Sequence, residues 1–250
     1  YASEKFVKES KNGDYGACVA SIDWSTRVIF DELKELGIDD NTLVIFTSDN
    51  GSRLQNQGGS NGNLRGRKGQ TWDGGQRVPC IIRWPGKINE GEETDALATT
   101  MDFLPSITNL IGGELPSKKI DGIDMSELFF SNNNSSKRES FLYYNEDELE
   151  AIRYKNWKLH FKKEGKLINE LYDLENDIGE EVNLYNENKE IVTELSSLAD
   201  DYRKSLGDKF LDIKGEEVRP ASRIANPKPL TEFDENHPYM YAEYDKGERG

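Results

Sequence analysis

The apolar positions of this chain change period several times, and each change marks an element. From Asp14 to Leu36, Val19, Ile22, Ile29, Leu33 and Leu36 recur at helical spacing with Thr26 filling the gap in the stripe, which predicts an amphipathic helix. Gly37 supplies its stop, with Ile38 placed for the hydrophobic contact that follows such a stop. After a short acidic turn, Leu43 to Thr47 are apolar or β-branched without alternation, the pattern of a strand covered on both faces, as in a parallel sheet. That run ends at Ser48-Asp49-Asn50-Gly51. Val78 to Trp84 reads as the next strand, closed by Pro85-Gly86, and Asp95 to Thr99 as another short one. Thr100 is placed to cap a helix over 101–111 that ends at Gly112-Gly113 and takes Pro105 in its first turn. The polar residues 1–13 read as an irregular entry. One helix and one strand cannot cover both faces of a sheet, so neighbouring strands are expected from outside this stretch, in a longer protein.

The pattern changes after Ser131 to Ser136, where three consecutive asparagines read as a boundary; Asn133 and Asn134 each head an N-x-S sequon. Phe141 to Asn145 is a candidate strand, and Ala151 to Tyr154 and Trp157 to Lys162 flank Lys155-Asn156 as a hairpin. In the second arm Trp157, Leu159 and Phe161 alternate with Lys158, His160 and Lys162, which predicts a half-exposed antiparallel strand with His160 at the surface. Leu171 to Leu174 adds a strand. Ile191, Leu195, Leu198, Tyr202 and Leu206 form the stripe of a helix that ends at Gly207 and covers one face of this small sheet. Three parts are expected: residues 1–135 in an α/β arrangement, 136–207 as a small α+β unit, and 208–250 as an extended tail.

Composition narrows the function. The 250 residues carry a net charge of −15, which argues against a nucleic-acid surface, and no apolar run approaches the ~20 residues of a membrane span. Cys18 and Cys80 have no metal-ligand spacing; they either pair with each other or are buried thiols, and the second is the default reading. Against this acidic background, residues 51–77 stand out. They are rich in glycine and carry Arg53, Arg65, Arg67, Lys68 and Arg77 against Asp73 alone. Such a loop is either an anion site or a solvated segment whose cations pair with the acidic remainder. Asp49 and Asn50 stand where the strand ends, the edge at which ligands collect in open α/β sheets, although Asp, Asn and Gly are also ordinary turn formers.

Several stretches, in order and at plausible spacing over residues 14–206, resemble the sulfatases of the alkaline-phosphatase superfamily. They are Tyr15-Gly16 through Asp23-Trp24-Ser25, the run Asn41 to Gly51, Leu64-Arg-Gly-Arg-Lys-Gly-Gln-Thr-Trp-Asp-Gly-Gly-Gln-Arg-Val-Pro79, Met101-Asp-Phe-Leu-Pro105, Asp121-Gly-Ile-Asp124, and Glu170-Leu-Tyr-Asp-Leu174 with Asn183-Leu184. The second and third together are the specific part. The resemblance implies a mostly parallel sheet between helices, followed by a small α+β subdomain with an antiparallel sheet and one packing helix. It implies that Asp49 and Asn50 ligate a divalent cation, Ca²⁺ with Mg²⁺ as the other candidate; their oxygens are hard ligands suited to either. It implies that Lys68 contacts the sulfate of a sulfated small molecule or glycan, a task that suits a compact ammonium with three donors. Arg65 and Arg67 add to the local field without an assigned contact. An extracytoplasmic setting, whether periplasmic, secreted or lysosomal, is also implied.

One family feature is absent. Sulfatases attack with a formylglycine made from Cys or Ser in a C/S-x-P-x-R motif, and no such motif occurs in this sequence. The resemblance is therefore to the C-terminal portion of a sulfatase. The formylglycine is expected upstream, and these residues alone are expected to be inactive. His160 and His237, the only histidines, are not expected to be catalytic. A phosphodiester or phosphonate hydrolase of the same superfamily, or an inactive module that binds sulfated glycans, are the alternatives.

Overall fold

A computed structural model describes residues 2–53, 58–130, 136–221 and 223–226. The asparagine-rich boundary with its sequons (131–135) and His237 lie outside the described residues. By its contacts the chain divides into two units, residues 1–217 and 218–250; the described part of the second has no regular secondary structure.

Contrary to expectation, residues 1–13 are not wholly irregular: Glu4–Glu9 form a short helix, α1, which sets Phe6 against Trp24 with ring centroids 6.1 Å apart. Helix α2 (Gly13–Glu35) follows as the stripe predicts. Its end is a Schellman motif: Gly37 takes φ of +66°, the Gly37 N–H donates to Lys34 O, and the Ile38 N–H donates to Leu33 O. Strand β1 (Val44–Thr47) pairs antiparallel with β2 (Cys80–Arg83) and lies between helices α2 and α3 (Asp73–Gln76) in the sequence. The expected burial of β1 on both faces is not met among the described residues, where Phe46 is exposed and the rest are half-buried. The segment from Ser48 to Pro79 contains, among its described residues, no crossover helix longer than one turn, and it returns the chain antiparallel. The α2 stripe is likewise open, with Val19, Ile22 and Ile29 exposed. Asp95 to Thr99 form no strand. Helix α4 (Phe103–Leu110) begins after a 3₁₀ turn, and its capping box is made by Thr99 with Asp102 rather than by Thr100. Helix α5 (Glu127–Phe130) is one turn.

The second half forms as its alternation requires. Strands β3 (Ser140–Asn145), β4 (Glu148–Tyr154), β5 (Trp157–Lys163) and β6 (Lys166–Asp173) make a four-stranded antiparallel meander in sequence order. Each of its hairpin turns begins with a left-handed residue, Glu146, Lys155 or Glu164. Helix α6 (Lys189–Leu206) lies on one face, where Val192, Leu195 and Ala199 join Leu149, Ile152, Leu159 and Leu171 in the main core. The pairing of β3 with β4 slips between Tyr143 and Tyr144, which leaves Glu150 as the extra residue of a bulge.

The face of this sheet opposite α6 overturns a sequence reading. Lys158, His160 and Lys162 are not at the surface; their exposures are 0%, 0% and 1%. The alternation identified the polar face correctly, but chain from elsewhere covers it and brings the carboxylates that such burial demands. The thiols are free, as the default reading has it, but they are not buried: Cys18 is half-buried and Cys80 is exposed. No described helix is long and apolar enough to cross a membrane.

Candidate active site

The end of β1 and the glycine-rich loop are joined by their backbones. The Gly51 N–H donates to Gly75 O at 3.1 Å, and the Lys68 N–H donates to Ser52 O at 2.9 Å. Within the loop the Gly74 N–H donates to Arg65 O at 2.7 Å, and Asn61 clasps both parts, its Oδ1 accepting from Ser52 N–H and its Nδ2 donating to Gly66 O. The approach is so close that only glycine fits. A Cβ on Gly51 would stand 1.7 Å from Gly74 O, and one on Gly75 would stand 2.2 Å from Gln70 O.

This apposition brings the three sequence-predicted residues onto neighbouring backbone. Lys68 is exposed and has no ion pair among the described residues. Asp49 is exposed, and Asn50 is half-buried with its Nδ2 donating to Gly51 O at 3.1 Å, which leaves the amide oxygen as its other pole. A carboxylate and an amide oxygen fit a hard cation, but they are two donors, and no group of three or more His, Cys, Asp or Glu able to hold a metal occurs among the described residues. The five loop cations divide between the two readings of the loop. Arg65 is structural: Nη1 donates to Tyr172 Oη at 3.1 Å and to Glu180 O at 2.8 Å, and its guanidinium lies 3.8 Å from the Trp72 ring. Arg77 reaches Asp95 at 3.7 Å. Arg53, Arg67 and Lys68 make no ion pair among the described residues.

Beneath the loop lies what sequence reading missed. Lys158 Nζ stands 2.7 Å from Asp73 Oδ1 and 2.8 Å from Glu180 Oε1. Glu180 also accepts from the Asp73 N–H at 2.8 Å and lies 3.0 Å from His160 Nε2, and the Tyr143 hydroxyl donates to Asp73 Oδ1 at 3.1 Å. Trp72 packs on His160 with ring centroids 4.1 Å apart. Beside it the Thr71 hydroxyl donates to the bulged Glu150 at 2.6 Å, and Lys163 donates to the same carboxylate. Lys162 pairs with Glu148. The available signal was the strand's own alternation: three cationic or titratable side chains on one face call for anions, and Asp73 is the one acid in the loop.

Burial and charge set the titration of these groups. Burial would raise the Asp73 carboxyl, but the Lys158 ammonium and the Tyr143 hydroxyl hold it below the usual carboxylate range. Burial lowers the His160 imidazole to about 4, with Glu180 opposing and Lys158 assisting. Folded, His160 is neutral until pH approaches about 4, whereas unfolded it takes its proton near 6.5. The unfolded chain thus holds the extra proton between those values. The stabilising difference is complete above about pH 6.5 and drains away as pH falls toward 4, a loss on the order of 3 kcal/mol. Urea unfolding from pH 7.5 to 4.5 is expected to show this decline and to show a flatter one in His160→Gln; equal slopes in the two proteins would remove His160 as the cause.

Comparison with known proteins identifies the family. The sulfatase family model matches residues 1–113, and the family model described as N-sulphoglucosamine sulphohydrolase, C-terminal, matches residues 67–205. Steryl-sulfatase of Rattus norvegicus is 37% identical over 168 residues, covering 64% of this chain and 29% of the relative. The crystal structure of a sulfatase from Pseudoalteromonas sp. superposes with a TM-score of 0.73 at 27% identity, covering 81% of this chain and 45% of that one. A structure solved with its substrate D-glucosamine-2-N,6-O-disulfate gives a TM-score of 0.61 at 25% identity, covering 82% of this chain and 42% of the other. The chain thus spans less than half the length of each of these relatives. The two matching models overlap over residues 67–113, which include Lys68, and between them run from residue 1 to residue 205 in α6, so the chain belongs to the sulfatase family.

Proposed function

We propose that this chain is the C-terminal portion of a sulfuric-ester hydrolase that removes sulfate from a sulfated organic or carbohydrate substrate. The observation that carries the reading is the backbone apposition of the two motifs, Gly51 to Gly75 and Ser52 to Lys68, which puts a hard-ligand pair beside an ammonium that has no ion pair among the described residues. In this reading Asp49 and Asn50 hold a divalent cation, Ca²⁺ or Mg²⁺, through the carboxylate and amide oxygens. When bound, that cation supplies positive charge to offset the charge that develops on the sulfate oxygens. Lys68 donates its N–H groups to those oxygens and fixes the group's orientation. Arg67 adds to the field without a direct contact. The formylglycine nucleophile lies upstream, outside these residues, since the C/S-x-P-x-R motif is absent from them. The substrate class is supported by the neighbour solved with a disulfated glucosamine, and the extracytoplasmic setting rests on the family alone.

The test is calcium affinity, measured by titration calorimetry on the complete protein. Asp49→Ala is expected to weaken binding at least tenfold, because the loss of a mere supporting residue at a metal site already costs roughly 10- to 100-fold. Unaltered affinity in both Asp49→Ala and Asn50→Ala would remove the pair from the cation site.

A further inference from the structure

We propose that Lys158, a residue of the small antiparallel sheet, is the positioning residue on which both halves of the candidate site hang; this rests on the sulfatase reading above. Lys158 does not touch the site. It is wholly buried and its ammonium bridges Asp73 and Glu180. Asp73 begins the one-turn helix α3 and is followed by Gly74 and Gly75. Those two glycines face the site: Gly75 O receives the Gly51 N–H, next to Asn50, and Gly74 N–H holds Arg65 O on the strand of loop that leads to Lys68. The path from Lys158 to the cation pair is therefore one ion pair, two residues of backbone and one hydrogen bond. The path to Lys68 runs through the same turn.

Three features show that the turn is held from below and not merely by its own loop. Thr71, Trp72 and Asp73 are all buried against the polar face of the sheet, each on a separate partner set. Glu180, the second carboxylate on Lys158, takes φ of +53°, a left-handed conformation that a glutamate adopts at a cost, and it is pinned there by Arg65 on its carbonyl and by Asp73 N–H on its carboxylate. The hydroxyl of Tyr143 adds a further donor to Asp73. A lone buried ammonium is unfavourable and two lone buried carboxylates are more so; the set is tolerated only when complete, which makes its geometry nearly all-or-none.

Lys158→Met keeps the apolar stem and removes the charge. In the complete protein the amides of Gly51, Lys68 and Gly74 are expected to exchange hydrogen at least about tenfold faster, while the amides of α6 keep their protection. The value of kcat/KM for an aryl sulfate is expected to fall on the order of 10- to 100-fold. In a Lys68→Ala background the same change should cost little more, because a residue that acts by placing Lys68 has nothing left to place. Should Lys158→Met fail to fold, Tyr143→Phe removes one hydrogen bond to Asp73 and leaves the ion pair intact; the same amides should then exchange faster by a smaller factor. Unchanged exchange at Gly51 and Lys68 in a folded variant, or a loss fully additive with Lys68→Ala, overturns the proposal. Failure of the sulfatase reading would look different: the complete wild-type protein would not turn over an aryl sulfate at all, while the exchange measurement would still report on the anchor.

Discussion

Replacing Lys68 by alanine in the complete enzyme is expected to lower kcat toward sulfate esters by about 100- to 1000-fold, the range found when one fixed donor to a developing anionic charge is removed. Stability should hardly change. The Lys68 side chain is exposed and joins no ion pair among the described residues, and its structural contact is a backbone one, the N–H to Ser52 O. Alanine keeps that N–H. A surface change of this kind usually stays within about 0.5 kcal/mol. The combination of lost turnover with retained melting temperature is what distinguishes a substrate contact from a loop brace. Unchanged kinetics would remove Lys68 from the site, and Arg67, its exposed neighbour, would then be the residue to test.

A second large effect is expected at Gly51. The atoms that crowd it are all backbone: a Cβ would lie 1.7 Å from Gly74 O, 2.8 Å from Gly74 C and 3.2 Å from the Cα of Gly75. No side chain can swing aside to relieve that clash, so Gly51→Ala must separate the strand end from the loop. Overpacking a close contact typically costs about 1–3 kcal/mol and occasionally more. A cost of about 3 kcal/mol or above is expected here, because the Gly51–Gly75 hydrogen bond is lost with it. The functional loss should exceed the stability loss. Calcium affinity and kcat/KM are both expected to fall, since Asp49-Asn50 and Lys68 lose their common register. Chemical denaturation and calcium titration on one variant check both parts, and a variant with wild-type affinity would show that the apposition is not needed for the site.

The loop that carries Lys68 and meets Gly51 rests on the buried face of the four-stranded sheet. Periodicity alone placed Lys158, His160 and Lys162 on one face of β5 and the apolar residues on the other, and the structure keeps that division. What periodicity assigned to water is in fact interior. Alternation reports which side chains share a face; it carries no information about what lies over that face. Asp73 and Glu180 reach Lys158 from 85 and 22 positions away in the sequence, and no local pattern encodes a pairing across such separations. The same limit applies to β1. Its unbroken apolar run reads as a strand covered on both sides, yet the described residues give it one antiparallel neighbour and leave Phe46 exposed.

Residue order was enough to specify the helices with clear apolar stripes and glycine stops, the hairpins of the meander, and the two motifs that carry Asp49, Asn50 and Lys68. Those features rest on local chemistry, that is, side-chain period, φ preference and the capping of backbone groups, all of which are set within a few residues. It took the folded chain to reveal that the two motifs meet through Gly51 and Gly75, and that the loop bearing Lys68 stands on a buried network of Lys158, Asp73, Glu180 and His160. Those are contacts between distant segments, and their physical reason is desolvation: once the loop closes over the polar face, each buried charge must find its partner there or the fold does not form.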